Sequence, residues 1–111
     1  MTELDAGEPA GTAVIRPPAR LTMVVAPELR TRIADTVATG RTRIVVDLSG
    51  CDFLDSSGLG ALISGLKTAR QAGGDLRLAC VGPQVATVLQ LTNVDRVLRV
   101  HDSVAAACAD L

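Results

Sequence analysis

The chain has 111 residues, which is enough for one domain with a single hydrophobic core. Its apolar fraction of 48%, its charged fraction of 21% and its net charge of -1 are typical of a globular protein without a strongly basic surface. Phe53 is the only aromatic residue, so the chain has no set of rings on which bases could stack, and nucleic-acid binding is not expected.

The N-terminus carries no recognisable targeting signal. The segment MTELDAGEPAG contains acidic residues but no Lys or Arg, and it lacks the basic and apolar regions of a secretory signal. No apolar run approaches the roughly 18 residues of a membrane span. We interpret residues 1–11 as a flexible acidic tail and residues 12–111 as one folded domain of a cytoplasmic protein that does not bind membranes.

Strand-like and helix-like patterns alternate along the rest of the chain. Strands are predicted at 12–16, 21–25, 43–49, 75–81 and 96–100. Helices are predicted at 26–40, from 58 to the Gly73-Gly74 pair, at 82–93 and at 102–111, the last capped by Asp102 or Ser103. This order predicts an α/β fold: a mostly parallel mixed β-sheet of about five strands with about four α-helices packed on it.

The segment CDFLDSSGLG, residues 51–60, places two adjacent hydroxyls between an apolar run and a helix. Backbone N–H groups at the start of a helix are unpaired and attract anions. Gly58 and Gly60 lack side chains, so another molecule could approach the backbone closely. Three interpretations follow for Ser56 or Ser57: a helix cap, a catalytic nucleophile or an acceptor of a phosphate.

A nucleophilic serine is poorly supported, and we expect no enzymatic activity. The nucleophile elbow needs a glycine two residues before the serine, but Leu54 and Asp55 stand at those positions. His101 is the only histidine. Its place between the last strand and the last helix is typical of a turn or surface residue rather than of a catalytic base.

The three cysteines do not indicate a metal site. Cys51, Cys80 and Cys108 are far apart and set among apolar neighbours, without a CxxC pair or a Cys/His cluster. We interpret them as reduced residues of the core, and a redox role for one pair is the alternative. Neither a metal nor another cofactor is expected.

The segments FLDSSGLGALISGLK and VGPQVATVLQLTNVDRVLRV resemble the STAS domain of bacterial anti-sigma factor antagonists, over roughly residues 12–109. The resemblance implies a STAS fold and a cytosolic regulator, of the kind used in stress responses, that binds an anti-sigma factor. This partner is also an ATP-dependent serine kinase of the GHKL type, and its capture releases a sigma factor. Phosphorylation by the kinase breaks the complex, and a PP2C-type phosphatase restores it.

The resemblance also implies roles for individual residues. The phosphorylated residue is the serine directly after the motif aspartate, here Ser56, which Asp55 helps to orient. The partner-binding residues are then Thr22, Asp55, Ser56, Ser57, Gly58, Leu59 and Gly60.

A phosphate on Ser56 would change the charge of this surface by roughly -1.5 to -2 at pH 7. Asp52 and Asp55 are its neighbours, and no Lys or Arg is close in sequence, because Lys67 and Arg70 lie at the far end of the helix. We expect a penalty of ~2–3 kcal/mol at an interface, which weakens binding roughly 30- to 150-fold without refolding.

The chain departs from the family pattern in its second strand. Many relatives carry G-x-L-D there, but Ala19 and Thr22 stand at the Gly and Asp positions of this chain. A constitutive binder that keeps the motif for docking is therefore one alternative. A small sensory STAS domain that binds a nucleotide or another small ligand at the same helix terminus is a second. Arg30 is either a solvated helix residue or part of the partner surface.

Overall fold

Two parallel sheets and four helices are formed by residues 11–111, the part of the chain that the computed structural model describes. The strands are β1 (Thr12–Ile15), β2 (Arg20–Leu21), β3 (Arg43–Asp47), β4 (Phe53–Leu54), β5 (Asp75–Ala79) and β6 (Arg99–His101). The helices are α1 (Ala26–Ala38), α2 (Ser56–Gln71), α3 (Pro83–Leu91) and α4 (Val104–Ala109), and a 3₁₀ turn spans Val94–Arg96.

The main sheet has the strand order β1-β3-β5-β6, and β2 pairs with β4 in a small second sheet. Every strand pairing among residues 11–111 is parallel, so each pair is joined by a crossover that contains a helix. The predicted α/β class, with a mostly parallel sheet and four helices, is confirmed. The strand β4 was not predicted, because two residues are too few to show the alternation of a strand.

Both faces of the main sheet are buried along β1, β3 and β5, whereas β6 at its edge is largely exposed. Successive side chains of a strand point to opposite faces. Ile44 and Val46 therefore join the main core beside α1 and α2, whereas Val45 lies in a smaller core with Ala107 of α4. The functional segment at the start of α2 is thus built on the larger of two cores.

The helices begin and end close to the predicted positions. Gly40 follows α1 with a φ of +96° and Gly73 follows α2 with a φ of +87°, a conformation that glycine adopts at low cost. Of the two caps predicted for α4, Ser103 is the one observed: its hydroxyl accepts the N–H of Ala106 at 3.1 Å.

The strand predicted at 21–25 is wrong beyond Leu21. The carbonyl oxygen of Thr22 accepts the N–H groups of Val25 and Ala26, at 3.0 and 2.8 Å, and this turn leads directly into α1. The apolar run had indicated a short strand, but it forms a turn in which Met23 is 69% and Val24 is 85% exposed. The partner strand β4 ends at Leu54, so residues 22–25 have no strand to pair with.

Two further predictions, the N-terminal tail and the lack of a membrane span, can be compared with the structure only for residues 11–111. Residues 1–10, most of the acidic tail predicted at 1–11, lie outside the described residues, and the division of the chain near residue 11 stays a prediction. Within residues 11–111, no helix combines the length and the apolar character needed to cross a membrane.

The side chain of Gln84 holds β4 from the side opposite β2. Its Oε1 accepts the N–H of Leu54 at 2.9 Å, and its Nε2 donates to the carbonyl oxygen of Leu54 at 3.0 Å. The amide therefore takes the place of a neighbouring strand for a residue that is almost fully buried. Because α2 begins two residues later, at Ser56, Gln84 also fixes the start of that helix.

Replacing Gln84 by Ala should lower the free energy of unfolding by about 1–3 kcal/mol, because both backbone groups of buried Leu54 lose their partner. The matched control is Gln90→Ala, which removes the same side chain from an exposed position of α3 and should change stability by less than about 0.5 kcal/mol. Urea unfolding of the three proteins measures the difference. Equal stability of the two variants would contradict this role of Gln84.

Candidate functional site

The carboxylate of Asp55 organises the start of α2. Its Oδ1 accepts the N–H of Gly58 at 2.8 Å, which caps the helix, and its Oδ2 accepts the N–H of Met23 at 3.1 Å. One side chain thus joins the first turn of α2 to the turn between β2 and α1. The N–H of Asp55 itself donates to the carbonyl oxygen of Leu21 at 3.3 Å, so the two segments are linked on both sides of Thr22.

The prediction that Ser56 or Ser57 caps the helix is wrong. Asp55 is the cap residue, with the extended backbone (φ -101°, ψ -177°) that this position requires. A carboxylate has two separate acceptor oxygens, and in Asp55 one of them binds the helix while the other binds the neighbouring turn. Ser56 is instead the first residue of α2 and is exposed, whereas Ser57 is half-buried.

The three residues that follow Ser57, which are Gly58, Leu59 and Gly60, differ in what surrounds them. Gly58 is buried, and a Cβ there would collide with the carbonyl oxygen of Leu21, so its missing side chain lets α2 approach β2 within this chain. Leu59 is only 8% exposed and belongs to the main core. Gly60 is half-buried and is the glycine of this turn that faces another helix, α1.

The guanidinium of Arg30 lies beside Gly60, one turn along α2 from Ser56, a contact that the sequence did not reveal. The Nη2 atom of Arg30, on α1, is 3.1 Å from the position that a Cβ of Gly60 would occupy. Residues four apart share a face of a helix, so Gly60 and Ser56 lie on one side of α2. The expectation that no Arg is near the serine in sequence was correct, but α1 packs against α2 and supplies one.

Sequence reasoning also missed Met23 and Val24. Both were assigned to a short strand, but they form an exposed apolar pair beside Asp55, with Thr22 half-buried next to them. No local signal separates this turn from a strand, because Pro27 marks only the start of α1, which was already predicted at residue 26. Thr22 lies next to the start of α2, because Leu21 and Met23 on either side of it are both hydrogen-bonded to Asp55.

Other candidate residues lie elsewhere. The Nε2 atom of His101 is 3.1 Å from Oδ2 of Asp110, just after α4, and nothing brings the ring to Ser56 or Ser57. Burial raises the pKa of Asp110, but Arg77, His101 and Arg99 around it outweigh that effect and hold the pKa below its usual value. This carboxylate fastens the end of α4 to the sheet.

The described residues offer no metal site and no disulfide. Within residues 11–111, no group of three or more His, Cys, Asp or Glu side chains could hold a metal ion, and Cys51, Cys80 and Cys108 form no disulfide. Cys51 is buried below β4, and burial raises the pKa of its thiol. A buried thiol with a raised pKa stays protonated, which fits a core residue.

Comparison with known proteins gives the family. The family model described as STAS domain matches residues 3–107. A protein of Thermotoga maritima, named as a candidate anti-sigma factor antagonist, is 32% identical over 72 residues, which cover 65% of this chain and 64% of that protein. The matched part is thus less than two thirds of that relative.

Solved structures show the same fold. A crystal structure of a candidate anti-sigma factor antagonist from Thermotoga maritima superimposes with a TM-score of 0.84 at 25% identity, covering 96% of this chain and 92% of that one. The anti-sigma factor antagonist SpoIIAA, in its unphosphorylated form, has a TM-score of 0.73 at 22% identity, covering 97% and 94%. With the family match over nearly its whole length, the chain belongs to the STAS domain family.

Proposed function

We propose that this protein is an anti-sigma factor antagonist that binds an anti-sigma factor, releases a sigma factor and is switched off by phosphorylation of Ser56. The observation that carries the proposal is the position of Ser56: an exposed hydroxyl on the first residue of α2, directly after the aspartate that fixes the neighbouring turn. The names of relatives from the same family support the role.

The binding surface in this proposal consists of Thr22, Met23, Val24, Asp55 and Ser56, and we call it the docking surface. Met23 and Val24 supply exposed apolar area, the term that contributes most to association. Asp55 holds the turn in place before any partner arrives, so little conformational entropy is lost on binding. Ser56 lies at the polar side of the surface, where an added charge meets the partner directly.

The partner in this proposal is a GHKL-type serine kinase, which provides the chemistry that the chain itself lacks. A bond forms between Oγ of Ser56 and the γ-phosphorus of ATP, while the bond from that phosphorus to ADP breaks. The hydroxyl proton passes to a base on the kinase. A PP2C-type phosphatase reverses the change by hydrolysis. The protein acts in the cytoplasm as a binding module and not as an enzyme.

The phosphate acts as a charge switch. It brings roughly -1.5 to -2 charges to a surface that already contains Asp55, and Asp52 lies nearby in the sequence. The amides of the first turn of α2 and the rigid Asp55 cap can tolerate a phosphate without rearrangement. We expect the unmodified chain to bind its partner roughly 30- to 150-fold more tightly than the phosphorylated chain.

The partner can be identified with the immobilised chain and a lysate of the organism that encodes it. The proposal requires recovery of a GHKL-type ATPase that then binds the purified chain directly. Purification of the chain with a tightly held nucleotide or other small ligand, and no such ATPase in the lysate, would favour the sensory alternative and contradict the proposal.

Phosphorylation should occur on Ser56 and on no other residue. Incubating the chain with the recovered kinase, ATP and Mg²⁺ should add one phosphate per chain, as measured by intact mass. Ser56→Ala should abolish the gain. Ser57→Ala is the matched control and should keep it, because Ser57 is half-buried. A phosphate that persists in Ser56→Ala, or is lost only in Ser57→Ala, would contradict the assignment.

The exposed apolar residues Met23 and Val24 should contribute to binding independently of the phosphate on Ser56. Met23→Asp should weaken binding of the unphosphorylated chain at least tenfold, about 1.4 kcal/mol, because an exposed apolar contact is replaced by a charge. Its stability should change by less than about 0.5 kcal/mol, since Met23 is 69% exposed.

Leu91→Asp is the control for this experiment. Leu91 is 79% exposed and lies at the far end of α3, away from the docking surface. Calorimetric titration of the partner with each variant measures the affinities. If Met23→Asp binds like the unaltered chain while Leu91→Asp binds weakly, the docking surface has been placed on the wrong side of the molecule.

A further inference from the structure

We infer that Arg30 binds the phosphate when Ser56 is phosphorylated. This inference rests on the proposed phosphorylation of Ser56 and assigns a further residue to that site. Its basis is the contact between α1 and α2 at Gly60, where the Nη2 atom of Arg30 is 3.1 Å from the position of a Cβ.

The geometry of a helix directs this guanidinium toward Ser56. Each Cα–Cβ bond of a helix is tilted toward the N-terminus, so the space next to the Cβ position of residue 60 lies over the preceding turn. Ser56 begins that turn, and Cβ positions four residues apart are roughly 5–6 Å from each other. A phosphate extends the serine side chain beyond Oγ and so reaches the neighbourhood of Arg30.

Arg30 is available for this contact. Within residues 11–111 its guanidinium makes no ion pair and no hydrogen bond to another side chain, and the residue is exposed. Arg20, the other arginine near β4, has its guanidinium 4.3 Å from the centre of the Phe53 ring and is engaged there. The planar guanidinium of Arg30 can donate two parallel hydrogen bonds to phosphate oxygens.

Gly60 is the residue that permits the approach. A side chain at this position would occupy the space next to Nη2 of Arg30 and push the guanidinium away from the first turn of α2. The second glycine of the DSSGLG segment thereby gains a specific role. Phosphorylation then has two effects at once: it adds negative charge to the docking surface, and it draws Arg30 onto the phosphate. A partner therefore loses access to the Ser56 hydroxyl and to the Arg30 guanidinium.

The test uses phosphoserine incorporated at position 56 during synthesis, which needs no kinase. The second pKa of this phosphate, ordinarily about 6, is followed by ³¹P NMR as a function of pH. A nearby cation favours the dianion and lowers this pKa. Arg30→Gln should therefore raise the phosphate pKa by about 0.5 unit or more relative to the unaltered protein, and Arg30→Lys should restore most of the lowering.

The control is Lys67→Gln, which removes one positive charge about 16 Å along the same helix from Ser56. It should leave the phosphate pKa unchanged. Equal pKa values for the unaltered protein and Arg30→Gln, or equal rises in Arg30→Gln and Lys67→Gln, would overturn the role of Arg30. Because the phosphate is built in, a kinase that fails to modify Ser56 would contradict the proposed function and leave this measurement unaffected.

Discussion

The double hydrogen bond of the Asp55 carboxylate is the interaction on which the candidate site depends. One oxygen caps α2 through Gly58 and the other holds Met23 of the β2–α1 turn. Without these two hydrogen bonds, the first turn of α2 would lose its cap, and the turn that contains Met23 and Val24 would lose its link to α2. The same contact leaves Ser56 exposed at the helix start, since the aspartate and not the serine satisfies the backbone. Asp55 thereby joins the two segments of the candidate site and keeps the Ser56 hydroxyl available.

Residues from distant parts of the chain hold the candidate site in place. Gly58 allows α2 to lie against Leu21 of β2, and Gln84 of α3 pairs with both backbone groups of Leu54. Arg30 of α1 reaches over Gly60. One strand and two other helices therefore meet the start of α2 and the residue before its cap, which explains how a short exposed motif can be held rigidly on a small domain.

The sequence was sufficient for the fold class, and it singled out the segment at the start of α2 as the candidate site. Buried strands such as β3 and the apolar stripe of α2 are read directly from their periods, because packing against the sheet imposes those periods. The Ser56-Ser57 pair stood out because two adjacent hydroxyls lie between an apolar run and a helix. Its family role, in contrast, came from the resemblance and not from the spacing of the residues.

The remaining features depend on contacts between segments that are distant in sequence. Val24 belongs to an apolar run that is typical of a strand. It lies instead in an exposed turn, because β4 ends at Leu54 and leaves residues 22–25 with no strand to pair with. Gln84 and Arg30 lie 28 and 26 residues from Ser56, and only the packing of α3 and α1 shows what they reach. The choice of Asp55 over the serines as cap follows from the second acceptor bond to Met23, which no local pattern contains.

The central claim is that Asp55 joins the β2–α1 turn and the start of α2 into one partner-binding surface. It is tested most directly by NMR titration of the ¹⁵N-labelled chain with the purified anti-sigma factor that we propose as its partner. The account predicts that the backbone amides of residues 22–25 and 55–60 respond together and before others. Responses confined to another surface, such as the exposed Val97 and Val100 near β6, with both of these segments unchanged, would contradict it.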